Sequence, residues 1–162
     1  MLDVLPDLCD EHPEAVRVCQ TQFQHFGKHM VFHGEAVTVK CFEDNSFVKS
    51  LLNTPGEGKV LVVDGGGSMR RALLGDQIAE AAVKNGWRGV VINGCIRDAA
   101  QINEMEIGVK CLGTTPIKTD KKNVGEINVK IECCGAVVDT GQYVFADMNG
   151  VLFADKNLLS SC

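Results

Sequence analysis

The sequence predicts an α/β fold in which a central β–α–β unit precedes a mostly β carboxyl-terminal half. Residues 60–64 (VLVVD) are almost entirely apolar, which is typical of a strand buried on both faces of a parallel sheet. Residues 76–85 carry apolar side chains at helical spacing, and residues 89–93 (GVVIN) form a second apolar run. This order of strand, helix and strand predicts a right-handed crossover between parallel strands.

Length, composition and charge narrow the class of protein. The chain has 162 residues, 45% hydrophobic and 23% charged, so we expect one globular domain over residues 1–162. The formal net charge is −5, and the dense basic run at residues 118–122 is interpreted as a solvated loop, so we expect no direct binding of nucleic acid. Residues 1–10 do not have the pattern of a signal peptide, and no run approaches about 20 apolar residues. A cytoplasmic protein without a membrane span is therefore expected.

The amino-terminal third shows weaker patterns. Residues 6–26 are predicted to be helical with breaks, and residues 34–41 (GEAVTVKC) alternate as in a strand. Asp44 or Asn45 is placed to cap a short helix that ends at Leu52, because both side chains accept hydrogen bonds from first-turn amides.

Short elements surround and follow the central unit. Residues 72–74 form a short strand before the central helix, which ends at Asn85-Gly86 because these residues tolerate a positive φ. A second short helix is predicted to follow residue 98 and to end near Glu104. Later strands are predicted at residues 111–115, 127–133, 136–138, 143–146 and 151–154.

Some residue patterns suggest other chemistry without its required spacing. The eight cysteines include no C-x-x-C pair, so we interpret them as small apolar side chains rather than as a zinc site or disulfide framework. His25, His29 and His33 recur every four residues, but glycines interrupt the helix that would align them on zinc, so they are interpreted as surface or interface residues. Residues 65–68 (GGGS) lack the spacing of a phosphate-binding loop and predict a tight turn. Trp87 is predicted to pack in the core or at an interface.

Two dipeptides at a fixed separation form the strongest functional pattern. Gly75-Asp76 opens the predicted helix, and Arg97-Asp98 follows the returning strand, with residues 77–96 between them. Loops that leave the carboxyl ends of neighbouring parallel strands lie at the same edge of a sheet. We therefore expect the two dipeptides to line one crevice.

This crevice would combine groups that bind a small chelating acid. First-turn amides lack an intrahelical partner and carry the positive end of the helix dipole, which favours a carboxylate or phosphate. Arg97 adds a planar cationic fork, and Asp98 is a hard oxygen ligand suited to Mg²⁺ or Mn²⁺, provided that water and substrate complete the coordination. The predicted substrate-binding residues are Gly75, Asp76, Gln77, Ile78 and Arg97. The alternative is a surface Arg–Asp pair and a helix-capping aspartate, and the residues alone leave both open.

At these residues the chain resembles the RraA-like family. That family includes metal-dependent, class II 4-hydroxy-4-methyl-2-oxoglutarate aldolases and a regulator of ribonuclease activity. The paired dipeptides carry the resemblance, which extends over nearly the whole chain. The further matching segments are KCFEDN (40–45), VLVVDGGGS (60–68), RRALL (70–74), NGW (85–87) and AD (146–147).

The resemblance implies a three-layer β/β/α swivelling domain that assembles as a homotrimer with sites near subunit interfaces. It implies a lyase that cleaves 4-hydroxy-4-methyl-2-oxoglutarate into two pyruvates and also decarboxylates oxaloacetate, through a shared pyruvate enolate. A divalent cation held by Asp98 and the catalytic residue Arg97 would stabilise that enolate. The amides of residues 75–78 would hold the substrate carboxylate, and Asp76 would orient a water on the metal.

Two departures from the longer aldolases define the rival hypothesis. Those enzymes bring a carboxylate from a carboxyl-terminal extension of the neighbouring subunit, and we expect this chain, which ends at Cys162, to lack it. Segments such as residues 65–68 are closer to the ribonuclease-regulator branch. The rival is therefore a non-catalytic regulator that binds an endoribonuclease, and the net charge of −5 is compatible with docking to a basic region. The paired motif, which a binding protein does not need, favours the lyase.

Overall fold

The computed structural model describes residues 1–159, which form four helices and fourteen strands. The helices are α1 (Leu5–Glu11), α2 (Ser46–Leu52), α3 (Asp76–Lys84) and α4 (Ala99–Asn103). The strands are β1 (Val16–Val18), β2 (Gln24–Phe26), β3 (Phe32–Lys40), β4 (Lys59–Asp64), β5 (Ala72–Leu74), β6 (Gly89–Asn93), β7 (Cys95–Ile96), β8 (Gly108–Cys111), β9 (Gly113–Thr114), β10 (Glu126–Ile127), β11 (Ile131–Cys133), β12 (Ala136–Val138), β13 (Tyr143–Asp147) and β14 (Gly150–Ala154).

A nine-stranded mixed sheet forms the centre of the fold. Its strand order is β1-β14-β13-β3-β4-β6-β8-β2, and β10 also pairs with β3. The four strands β3, β4, β6 and β8 are parallel, with antiparallel strands on either side. Helix α3 lies between β4 and β6 in the chain, and these strands pair from Val60 opposite Gly89 to Asp64 opposite Asn93. The predicted crossover unit is confirmed.

Both faces of the large sheet are buried, as β4 illustrates. Leu61 and Val63 pack in a core shared with α2 and α3, whereas Val60 and Val62 pack in a core shared with the β11–β12 hairpin. All four side chains are 0% exposed, which explains why the run has no polar alternation. Burial of each such side chain contributes roughly 1.5–3 kcal/mol. Helices, large sheet and hairpin form the mixed α/β layers that the resemblance implied.

A small parallel sheet of β5, β7 and β9 positions the candidate site. Its strands pair through Ala72 with Cys95 and through Cys95 with Gly113. β7 follows β6 after a single residue, and β5 follows β4 after the glycine-rich turn. Leu74 and Ile96 are fully buried in the helix-side core, so the small sheet is fixed to the body of the protein.

The prediction for the amino terminus was wrong beyond Glu11. Only residues 5–11 are helical, and the two short strands β1 and β2 follow. Pro13 cannot continue a helix, because it has no amide hydrogen and a fixed φ. Strands β1 and β2 pair antiparallel with β14 and β8, which lie far away in the sequence. A strand of three residues shows little local pattern, so distant pairing decides its conformation.

Two predicted strands are each divided in the structure. Residues 111–115 contribute to β8 and β9, which belong to different sheets, and residues 127–133 contribute to β10 and β11. Asn128 interrupts the second run with a φ of 57°. Cys162 lies outside the described residues. Within residues 1–159 no helix is long and apolar enough to cross a membrane.

Candidate functional site

The two dipeptides lie together at the carboxyl edge of the small parallel sheet. Gly75 follows β5 and Arg97 follows β7, and the Arg97 amide donates to the Leu74 carbonyl at 2.9 Å. The sequence prediction placed Arg97 just past the carboxyl end of the strand of residues 89–93, with no further strand between them. That detail was wrong, because Gly94 and β7 intervene and the loops meet at the small sheet. The expected juxtaposition is nevertheless present, since β5 and β7 are parallel neighbours.

A cavity of about 370 Å³ joins the two dipeptides. All six residues predicted for the site line it, namely Gly75, Asp76, Gln77, Ile78, Arg97 and Asp98. The arrangement places a helix amino terminus and a guanidinium group at one opening, both of which favour an anion.

Helix α3 begins at the cavity with Gly75 in the N-cap position. Gly75 is extended, with φ −126° and ψ −173°, and its carbonyl accepts the Ala79 amide at 3.0 Å. Gly75 has no side chain that could cap the helix. Instead, the Asp76 amide donates to Oδ2 of Asp98 at 3.0 Å. One of the predicted anion-binding amides therefore already holds a carboxylate.

Asp98 adopts an uncommon backbone conformation, and its side chain bonds to a helix other than its own. Its φ of 57° and ψ of 40° are left-handed, a region that aspartate enters more easily than most residues. Asp98 occupies the N-cap position of α4 but makes no side-chain cap there, and its side chain bonds to the start of α3. Oδ2 of Asp98 lies 3.9 Å from Nε of Arg97, and the two side chains are 33% and 39% exposed. The carboxylate is therefore held in place while part of it stays accessible.

Glycine at position 75 provides space rather than conformational freedom. Its backbone is extended, which any residue can adopt. A Cβ added there would lie 3.0 Å from Oδ2 of Asp98 and 3.6 Å from Nε of Arg97. A side chain at this position would therefore press on both charged groups.

The sequence analysis missed further residues that line the cavity. They are Asn45, Lys49, Asn53, Lys118 and Lys121, in addition to the apolar Ala72 and Ala81. Lys118 and Lys121 belong to the basic run that was interpreted as a solvated loop. Both are exposed, but the loop that carries them borders the cavity. The density of cations in an otherwise acidic chain was the signal that could have found them.

The other patterns have structural explanations. Nε2 of His25 lies 3.0 Å from the Gly27 carbonyl, Nε2 of His29 lies 3.0 Å from Glu106, and His33 stacks on Phe145. Burial lowers the pKa of both His25 and His33. The three imidazoles thus make three separate sets of contacts.

Trp87 and the triple glycine serve the fold. Trp87 is buried in the helix-side core, as predicted, and its Nε1 donates to the Thr54 carbonyl at 2.9 Å. Gly66 and Gly67 have positive φ values, and the Gly67 amide donates to the Asn93 carbonyl at 3.1 Å. The run of glycines forms the tight turn between β4 and β5.

Comparison with known proteins identifies the family. The family model described as RraA-like, Aldolase/RraA, matches residues 5–153. The chain belongs to the RraA-like family. A protein of Azotobacter vinelandii named "Putative 4-hydroxy-4-methyl-2-oxoglutarate aldolase" is 52% identical over 155 residues, which is 96% of each chain. A Pseudomonas fluorescens protein of the same name is 54% identical over 155 residues, which is 96% of this chain and 95% of that one.

Solved structures of this family share the fold under different functional descriptions. An S-adenosylmethionine:2-dimethylmenaquinone methyltransferase from Geobacillus kaustophilus is 45% identical with a TM-score of 0.95, over 98% of this chain and 99% of that one. The RNA-processing inhibitor RraA from Thermus thermophilis is 38% identical with a TM-score of 0.94, over 99% and 98%. One fold therefore accompanies three described functions in this family, so function has to be argued from the site.

Proposed function

We propose that the protein is a divalent-metal-dependent carbon–carbon lyase that cleaves 4-hydroxy-4-methyl-2-oxoglutarate into two pyruvates. Oxaloacetate decarboxylation is a side activity, because both reactions generate the enolate of pyruvate. The observation that carries the proposal is the contact between Asp98 and the first turn of α3, beside Arg97 and open to one cavity. The names of the Azotobacter and Pseudomonas relatives support the same reaction class.

The residues at the cavity fit a divalent cation that keeps water and substrate ligands. Among the described residues no three His, Cys, Asp or Glu side chains are grouped as a metal cage. Asp98 accepts one backbone amide and is one-third exposed, so its remaining lone pairs are available to a hard cation such as Mg²⁺ or Mn²⁺. When bound, the cation supplies a Lewis acid for the keto and carboxylate oxygens of the substrate. Asp76, at the same opening, would orient water near that cation.

The chain's own groups account for binding and for charge stabilisation. The amides of Gly75, Gln77 and Ile78 belong to the first turn of α3, where the helix dipole favours the substrate carboxylate. The Arg97 guanidinium, which borders the same cavity, would donate to the oxygen that becomes negative when the carbon–carbon bond breaks. Such a donor stabilises the transition state more than the ground state, which is the requirement for catalysis.

The test is metal-dependent release of pyruvate by the purified protein. We expect release from oxaloacetate and from 4-hydroxy-4-methyl-2-oxoglutarate with Mg²⁺ or Mn²⁺, above the spontaneous rate, and none after chelation. Asp98→Asn should lower the rate at least about 100-fold without unfolding the chain, because it removes the charge and keeps the shape. Asp155→Asn is the matched control, since Asp155 is 78% exposed and pairs with Arg17. No metal-dependent release from the unmodified protein would refute the proposal.

The rival function is binding and inhibition of an endoribonuclease, which the similarity to the Thermus protein favours. A regulator would inhibit RNA cleavage through its surface, so Asp98→Asn would leave inhibition intact. Inhibition of an endoribonuclease that survives this substitution, together with no pyruvate release, would replace the lyase proposal.

We also infer a homotrimer, as the family resemblance implies. Phe42 and Val124 are 57% and 63% exposed and border a second cavity, a pattern that suits a contact between subunits. Light scattering should give a mass three times 17.5 kDa.

A further inference from the structure

We infer that Lys118 and Lys121 form a subsite for a second carboxylate of the substrate. This inference rests on the proposed lyase function and assigns two residues to the distal carboxylate that both proposed substrates carry. It gives a role to the basic run at residues 118–122, which the proposed chemistry does not otherwise use.

The charge around the cavity exceeds what a single carboxylate requires. Its lining includes four cationic side chains, Lys49, Arg97, Lys118 and Lys121, and two anionic ones, Asp76 and Asp98. A divalent cation on Asp98 would increase the positive excess further. Among the described residues none of the three lysines forms a salt bridge, so their ammonium groups have no protein counter-ion.

The chain is fixed on both sides of Lys118, at Ile117 by the small sheet and at Thr119 by Asn45. The Ala72 amide donates to the Ile117 carbonyl at 2.8 Å, and Arg71 donates to the Lys118 carbonyl at 3.0 Å. Thr119 is 3% exposed, and its hydroxyl donates to Oδ1 of Asn45 at 2.6 Å. The segment that carries the lysines is therefore attached to the wall of the cavity.

The chain after Lys121 is fixed by a buried carboxylate. Asp44, which is 4% exposed, accepts the amides of Lys122 at 2.8 Å and Val124 at 3.2 Å through Oδ2. Its Oδ1 accepts the amide and hydroxyl of Ser46 at 3.0 and 2.6 Å. Burial alone would raise the pKa of Asp44, but these hydrogen bonds outweigh it and lower the pKa to about 2. An anchored backbone reduces the entropy that the two side chains lose on binding an anion.

The cavity is large enough for a ligand longer than pyruvate. Its volume of about 370 Å³ lies within the range of about 300–1,000 Å³ typical of small-molecule sites. The first turn of α3 with Arg97 borders it from one segment, and the loop with Lys118 and Lys121 borders it from another. A dicarboxylate has one carboxylate for the helix end with Arg97 and a second one for the two lysines.

The test compares two ligands that differ only at the distal end. 2-Oxoglutarate and 2-oxopentanoate have the same five-carbon 2-oxo acid chain, and only the first has a second carboxylate. Calorimetric titration with Mg²⁺ present should show 2-oxoglutarate binding about tenfold more tightly, since only its second carboxylate can form charge-assisted hydrogen bonds with the lysines. The difference should shrink as salt rises from about 0.1 to 1 M, where the screening length falls from about 10 to 3 Å.

Lys118→Met and Lys121→Met, combined, should abolish this tenfold preference and leave the affinity for 2-oxopentanoate within about twofold. Methionine keeps an apolar stem, so folding is preserved. Lys84→Met combined with Lys130→Met is the matched control, because both lysines are exposed and lie outside the cavity lining. The two control substitutions remove the same amount of charge as the test pair. The control should retain the preference.

The outcomes separate this subsite from the lyase function. Equal binding of the two ligands by the unmodified protein, binding of neither ligand, or a preference that survives the double substitution would overturn the subsite. A lysine-dependent preference without metal-dependent pyruvate release would support the subsite and refute only the proposed reaction.

Discussion

Asp44 and Asp98 are two aspartates that accept backbone amides near the start of a helix, yet their surroundings differ. Asp44 lies before α2, is 4% exposed and accepts four hydrogen bonds, three from amides and one from a hydroxyl. Asp98 lies before α4, has a side chain that is 33% exposed and accepts the amide of Asp76.

The difference shows which carboxylate is free to act. An ionised carboxylate offers about four lone-pair sites, and the donors around Asp44 fill them. Asp44 therefore stabilises the fold, and its effect on the site is indirect, through the loop that carries Lys118 and Lys121. Asp98 keeps unused acceptor capacity at the edge of a cavity, which is what a metal ligand requires. The degree of hydrogen-bond satisfaction thus separates a structural aspartate from the proposed metal ligand.

The largest expected effect is the loss of stability in Asp44→Asn. The asparagine side chain is uncharged, and its NH₂ group cannot accept hydrogen bonds. This group would face either the backbone amide of Ser46 or those of Lys122 and Val124. We expect a loss of about 3 kcal/mol in the free energy of unfolding and a fall in Tm of about 10 °C. Urea unfolding measures this change, with Asp98→Asn as the comparison. A loss in Asp98→Asn as large as that in Asp44→Asn would contradict the distinction between the two residues.

Acid should remove the contribution of Asp44. Its folded pKa of about 2 lies below the ordinary value of 3.8, so the stabilisation is complete above pH 4 and is lost as the pH falls towards 2. A shift of this size corresponds to about 2 kcal/mol. The gap in unfolding free energy between the unmodified protein and Asp44→Asn should therefore narrow by about that amount between pH 5 and 2. A gap that is independent of pH would show that the charge of Asp44 is not what the hydrogen bonds stabilise.

Gly75→Ala should affect the site while sparing the fold. The added Cβ lies 3.0 Å from Oδ2 of Asp98, so the partly exposed carboxylate has to move by a few tenths of an ångström. We expect a roughly tenfold lower kcat/KM for pyruvate release, about 1.4 kcal/mol, because misplaced groups stabilise the transition state poorly. Tm should change by less than about 2 °C, since the backbone there is extended and tolerates alanine. Unchanged activity would show that the position of Asp98 is not critical.

The sequence predicted the elements whose apolar side chains form a recognisable local pattern. β4, α3 and β6 were predicted because the hydrophobic patterns of a buried strand and of an amphipathic helix can be recognised within five to ten residues. The strand β7 has two residues, Cys95 and Ile96, and no pattern of that length can be recognised. It exists because it pairs with β5 and β9.

The candidate site divides in the same way. The paired motif predicted that Gly75 and Asp98 meet, since strand order determines where their loops lie. Lys118 and Lys121 were missed because their position depends on hydrogen bonds between Ile117 and Ala72 and between Thr119 and Asn45. The first pair is separated by 45 positions in the sequence and the second by 74, so neither contact produces a local sequence pattern.

Lys110 gives the smallest effect and sharpens the comparison, because it is a buried charge without the hydrogen bonds of Asp44. Lys110 is 2% exposed and pairs across the strands with Val91, whose side chain belongs to the hairpin-side core. Among the described residues it forms no salt bridge within 4.0 Å. Burial lowers the pKa of Lys110, although the charge of Asp147 opposes the shift.

We expect Lys110→Met to raise the free energy of unfolding by about 1 kcal/mol, since an apolar side chain replaces a poorly compensated charge. The sign of the pH dependence follows from the lowered pKa. The unfolded chain binds the proton more tightly, so the cost of burying the charge is complete below the folded pKa and declines as the pH rises towards 10.5. The advantage of the methionine variant in urea unfolding should therefore be largest near neutral pH and should decrease on alkalinisation. A destabilised variant would mean that the ammonium group has a partner in the assembled protein, and that Lys110, like Asp44, is a satisfied charge.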